Sequence, residues 1–113
     1  MGARRLDQTA DEKPAIVVTN LAIGQRVANP VTVAGTANVF EATVSVRILD
    51  ASGREIANTF TTATCGTGCR GTYSKKVSFL VTDEQAGTVE VYWSSPENGR
   101  PEGVVRIPVT LVP

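Results

Sequence analysis

The chain has 113 residues, which suits one domain and leaves no room for two. Lys plus Arg equals Asp plus Glu at 11 each, so no global field draws in nucleic acid or an anionic membrane surface. Histidine is absent, which removes Ser-His-Asp and Cys-His catalysis and the commonest transition-metal ligand.

Residues 1–14 are polar and charged and end in Pro14. They carry no apolar period and read as a mobile tail or linker ahead of a folded domain at 15–113. Met1-Gly-Ala-Arg-Arg5 has charge but no apolar segment after it, so no signal peptide is visible there. An export signal, and any anchor or adjoining domain, are expected outside the given residues.

Hydrophobic residues make up 42% of the chain, enough for a core, while aromatics are only 5%. The abundance of Val and Thr favours strands, where branched side chains fit a pleated surface. After Pro14 the pattern alternates with period two. Ile16-Val-Val18 is a first short strand. Leu21, Ile23 and Val27 mark an irregular connection that reaches the core. Val31 and Val33 face one way in a second strand that runs through Gly35. Phe40, Ala42, Val44, Val46 and Ile48 form the cleanest stripe, with Glu41, Thr43, Ser45 and Arg47 opposite. Asp50-Ala-Ser-Gly53 is a hairpin turn, closed by the Asp side chain and eased by Gly. Ile56 and Phe60 anchor the returning strand.

Tyr73, Val77, Phe79 and Val81 make the next stripe, and Val89, Val91 and Trp93 the one after. Residues 94–103 are a polar loop. Val105, Ile107, Val109 and Leu111 form the last strand, with Pro108 marking an edge or bulge. Each strand needs one face buried, so seven strands predict an all-β, two-sheet antiparallel sandwich.

Cys65 and Cys69 are four positions apart in a loop that Gly66 and Gly68 let curl. A structural disulfide is the leading reading, worth about 2 kcal/mol for so small a loop. Reduced thiols and a redox or metal role are the alternatives, the last lacking further soft ligands. Gly66-Thr-Gly68-Cys-Arg-Gly71 matches a dinucleotide fingerprint, but a strand pattern follows it where that motif needs a helix. Lys75 and Lys76 alternate to different faces and are not expected to form a patch. Tyr92 and Trp93 point to opposite faces, with Trp93 expected in the core and Tyr92 exposed as a contact residue.

The stretches Asn29-Pro-Val-Thr-Val-Ala-Gly-Thr-Ala-Asn-Val-Phe-Glu41, Asp50-Ala-Ser-Gly53, Thr64-Cys-Gly-Thr-Gly-Cys-Arg-Gly71 and Ile107-Pro-Val109 together resemble the immunoglobulin-like domain of bacterial spore-germination proteins. That is the Gmad type, often found beside a GerMN-type domain. The resemblance implies a seven-stranded immunoglobulin-like sandwich and a place outside the cytoplasm, secreted or attached to the envelope. It carries over no catalytic or binding residues.

The expected function is a non-catalytic module for protein or envelope contacts, with no cofactor. The alternative is a carbohydrate- or cell-wall-binding sandwich, which usually shows several exposed aromatics in a row. Contact candidates are Tyr92 and the loop residues Pro96, Glu97, Asn98 and Arg100, because loops on a rigid scaffold commonly carry recognition. Glu41 is a weaker candidate: its carboxylate is expected to accept backbone N–H bonds from a neighbouring loop, while Phe40 caps the core.

Overall fold

The computed structural model describes residues 13–113. The expected tail therefore lies outside the described residues, apart from Lys13 and Pro14. Eight strands follow: β1 (Ile16–Val18), β2 (Arg26–Ala28), β3 (Val31–Ala37), β4 (Thr43–Leu49), β5 (Glu55–Thr62), β6 (Gly71–Val77), β7 (Gln85–Ser94) and β8 (Pro101–Val112). They form a three-stranded sheet, β1-β3-β6, and a five-stranded sheet, β2-β8-β7-β4-β5.

The eighth strand is β2, read from sequence as an irregular connection. With three residues it is too short to show alternation, and it pairs parallel to β8 where every other ladder is antiparallel. Val27, at its centre, reaches the core as expected, but Ile23 does not and stands 80% exposed.

Period two decides what is inside. Val31, Val33 and Ala37 of β3, Val44, Val46 and Ile48 of β4, Val89 and Val91 of β7, and Ile107, Val109 and Leu111 of β8 fill the space between the sheets. Complete burial of such a side chain contributes about 1.5–3 kcal/mol. Phe60 breaks the expectation. Thr59 lies opposite Val46 and Thr61 opposite Val44, so these face inward, while Phe60 lies opposite Ser45 and points out, 62% exposed. A bulge between Ile48 and Leu49 changes the side-chain parity, which lets Ile56 pack on the core although Phe60 cannot.

The Asp50 turn forms as read: its Oδ1 accepts from the backbone N–H of Ser52 (2.9 Å) and Arg54 (3.0 Å). Pro108 faces Thr88 without a bulge. Its carbonyl accepts from Gly24 N–H at 2.7 Å, so its nitrogen looks to the side that short β2, paired only with residues 110–112, leaves open. The missing N–H therefore removes no ladder bond.

Replacing Ile48, which is fully buried, with Ala should cost about 2–5 kcal/mol in urea unfolding, while Phe60→Ala should stay within about 0.5 kcal/mol. Equal losses would show that Phe60 is held by packing after all.

Tyr73 gives a pH test. Its hydroxyl donates to the Val17 carbonyl at 3.0 Å, joining β6 to β1 across β3, and burial pushes its pKa up to about 12. The fold thus favours the neutral phenol. Its contribution is complete below the unfolded value near 10 and is lost as pH rises from there toward 12. Stability should fall by at most about 1.4 kcal/mol per pH unit over that window. Tyr73→Phe should flatten that slope, and an unchanged slope would assign it to another group.

Candidate functional site

The chain does not run straight from β3 into β4. It makes one 3-10 turn, Phe40–Ala42, in which Ala42 N–H bonds to the Val39 carbonyl at 3.0 Å. Glu41 and Ala42 both have positive φ, 54° and 60°. For residues with a Cβ the left-handed region costs about 1–2 kcal/mol each. The turn also breaks the alternation that sequence extended back to Phe40. Phe40 is consequently 43% exposed and does not cap the core, while Val39 and Ala42 are buried.

Two supports hold this strained turn. Ala42 anchors it with a buried methyl and a carbonyl that accepts from Ala63 N–H at 2.7 Å. Behind it lies the loop closed by a Cys65–Cys69 disulfide, with an S–S distance of 2.06 Å. Asn38 Oδ1 accepts from Gly68 N–H at 2.9 Å, clasping that loop to the turn. The backbone of Gly66 runs so close to the turn that a Cβ there would sit 3.1 Å from the Ala42 nitrogen. Sequence anticipated the disulfide, but not that its loop serves as a backing for Glu41.

The Glu41 side chain departs from the expected role. It is exposed, and among the described residues its carboxylate has no hydrogen bond or ion-pair partner. Facing the turn is the β7–β8 connection, residues 95–100. Ser95 N–H bonds to the Arg100 carbonyl at 2.9 Å and Gly99 N–H to the Ser95 carbonyl at 2.8 Å. Asn98 Oδ1 accepts from Arg100 N–H at 2.9 Å, so this side chain is used inside its own loop.

Phe40, Glu41 and Thr43 on one side and Ser94, Ser95 and Pro96 on the other line an open depression of about 270 Å³. Ligand pockets start near 300 Å³, so this size suits one or two side chains of a partner rather than an extended small molecule. Glu41 and Pro96, chosen from sequence, thus meet. Glu97 and Arg100 are exposed on the same loop without lining the depression. Phe40, Thr43, Ser94 and Ser95 were missed. The sequence signals for them were the closeness of Phe40 and Thr43 to Glu41 and the place of Ser94 and Ser95 at the start of the polar loop.

Tyr92 needs correction. It does point to the outer face of the five-stranded sheet, opposite Ser45, but it is only 7% exposed. The Arg47 guanidinium lies 5.1 Å from its ring centroid. Arg47 is held there by Glu90, whose Oε1 accepts from Arg47 Nε at 2.6 Å and whose Oε2 accepts from Arg106 Nε at 2.8 Å. The Glu90 hydrogen bond raises the Arg47 pKa further above its ordinary value. Tyr92 therefore presents no free ring. Trp93 faces inward with Val89 and Val91, as expected, but at the end of the sandwich, where it is half-buried.

Among the described residues no three His, Cys, Asp or Glu side chains are grouped to hold a metal ion, and no helix is long and apolar enough to cross a membrane.

Two packed sheets, with the first two strands divided between them, make this an immunoglobulin-like β-sandwich. The chain belongs to the Gmad2 family, the immunoglobulin-like domain of bacterial spore germination, whose model matches residues 15–100. Among solved structures, the periplasmic chaperone SfaE is similar over 87% of this chain and 57% of its own, with a TM-score of 0.51. At 14% identity that likeness shows the fold alone. No curated protein sequence matches the chain.

Replacing Glu41 with Gly removes the Cβ that makes its φ unfavourable. Glu41→Gly should match or exceed the parent in thermal melting, with a gain of up to about 1 kcal/mol. A clear loss would mean that the Glu41 side chain stabilises the fold.

Proposed function

We propose that the chain is a non-catalytic immunoglobulin-like contact module that works outside the cytoplasm, in the germination apparatus its family is named for. The Phe40–Ala42 turn and the facing 95–100 loop form its contact site for a protein partner. The observation that carries this reading is Glu41: a residue in a costly backbone conformation, with a carboxylate that has no partner among the described residues, beside a half-exposed phenylalanine. A structural disulfide and membership of the germination family support the compartment. The apolar Phe40 ring, the Glu41 charge and the Pro96 rim suit a partner side chain with an aliphatic stem and a basic head.

The test places a photo-crosslinking amino acid at position 41, 96 or 23 in turn and exposes each protein to an envelope extract of a spore-forming bacterium. Positions 41 and 96 should capture the same protein, and capture at 96 should fall when Phe40 is also changed to Ala. Position 23, which is highly exposed but lies in the connection ahead of β2, should not capture it. Capture from 23 alone would move the site. Retention of the protein on purified wall glycan would favour the carbohydrate-binding alternative, and turnover of that glycan would overturn the non-catalytic reading.

A further inference from the structure

The sheet edges are unequal. β1 and β2 close one side of each sheet with only three residues apiece. On the other side, β6 ends the small sheet and β5 the large one. β6 is guarded: Lys75 lies opposite inward-facing Val33, so an edge charge points between the sheets, a placement that discourages strand addition. β5 has no such guard. It is eight residues long, and after Glu55 it contains no charge, proline or glycine. Among the described residues, its backbone groups on the side away from β4 have no strand partner.

The two edges are tied at the disulfide-loop end. There Thr64 N–H bonds to the Thr72 carbonyl at 3.0 Å, and Thr72 N–H bonds to Thr64 Oγ1 at 2.9 Å. Further along they frame a groove of about 430 Å³, with Ala57, Asn58 and Thr59 on one wall and Lys75, Lys76 and Ser78 on the other. Alternation does send the two lysines to opposite faces of β6. Because β6 is an edge strand, both nevertheless border the same opening, which corrects the expectation that they form no patch. Among the described residues neither lysine has a hydrogen-bond or ion-pair partner.

We propose that the free edge of β5 takes up an extended, acidic segment of a partner protein as an added strand, its carboxylates resting on Lys75 and Lys76. Main-chain hydrogen bonds to β5 would supply affinity without regard to sequence, and side-chain contacts would supply the choice. A strand beside β5 runs along the mouth of the groove, so its side chains face the opening that Lys75 borders from the inner face of β6 and Lys76 from the outer. A second copy of the chain is a poorer occupant. Its own β5 offers one carboxylate, Glu55, at the strand's end, and it would bring another lysine pair toward the first. This edge is separate from the depression at Phe40–Ala42, and the proposal stands or falls apart from that site.

The probe is a fluorescent eight-residue peptide alternating Glu with Val, titrated against the full 113-residue chain at low salt. Controls replace Glu by Lys, or place proline at alternate positions of the acidic peptide. The acidic peptide should bind and weaken with added salt, and it should slow hydrogen exchange of amides in β5. Lys75→Glu with Lys76→Glu should weaken it about tenfold. If the double variant melts early, Lys76→Glu alone, at an exposed position, should still weaken binding about threefold.

Equal binding of the proline peptide would reduce the effect to charge alone and overturn strand addition. Protection away from β5, or unchanged affinity in the lysine variants, would overturn the placement. Self-association of the chain with β5 amides protected would give the edge to a second copy instead.

Discussion

The pairing register of β4 is the constraint on which the rest of the molecule depends. β4 sits between β5 and β7, so both neighbours take their alignment from it. With Val46 opposite Val91 and Thr59, the residues Val44, Val46 and Ile48 face the other sheet and lose all contact with water. The same alignment sets Arg47 opposite Glu90, which in turn lies opposite Arg106. A slip of one residue would drive Arg47 into the core and leave Glu90 without its partners. The apolar interior and the charged row on the outer face are thus two results of one alignment, and each penalises the slip that would damage the other.

The Phe40–Ala42 turn is built differently, from local supports rather than from sheet pairing. Two left-handed residues in succession would not persist in an isolated peptide. Here the buried Ala42 methyl, its bond to Ala63 and the clasp between Asn38 and Gly68 hold them in place. The disulfide closes the loop behind that clasp, so its structural part is to keep a small piece of backbone where the turn can rest on it. Stability gained in the sandwich is spent on holding the backbone of Phe40 and Glu41 in one conformation.

Much of the fold was legible because alternation is a direct imprint of a strand with one buried face. The stripes of β4, β7 and β8 were read correctly residue by residue from Val44, Val89 and Ile107 onward. Alternation fails where the chain leaves the pleat. At Phe40 a helical turn intervenes, in β5 a bulge opposite Ile48 and Leu49 puts Ile56 and Phe60 out of phase, and β2 is too short to have a period. The site was legible only in part for a related reason. Exposure of Tyr92 depends on Arg47, a residue distant in sequence whose side chain lies over it, and no local pattern reports that. Glu41 could be selected from its neighbourhood, but whether its carboxylate finds a partner is a property of the folded surface.

The parallel pairing of β2 with β8 has a mechanical consequence. Chain enters β2 and leaves β8 pointing the same way, so tension between the start of the domain and its C-terminal end runs along both strands in opposite senses. The hydrogen bonds between them are then loaded in shear and must yield together, whereas an antiparallel pair pulled from one end unzips bond by bond. The ladder is short, matching Arg26, Val27 and Ala28 to Thr110, Leu111 and Val112, but Val27 and Leu111 root it in the core. Once β1 has been peeled from β3, this small clamp is what resists extension of the remaining sandwich.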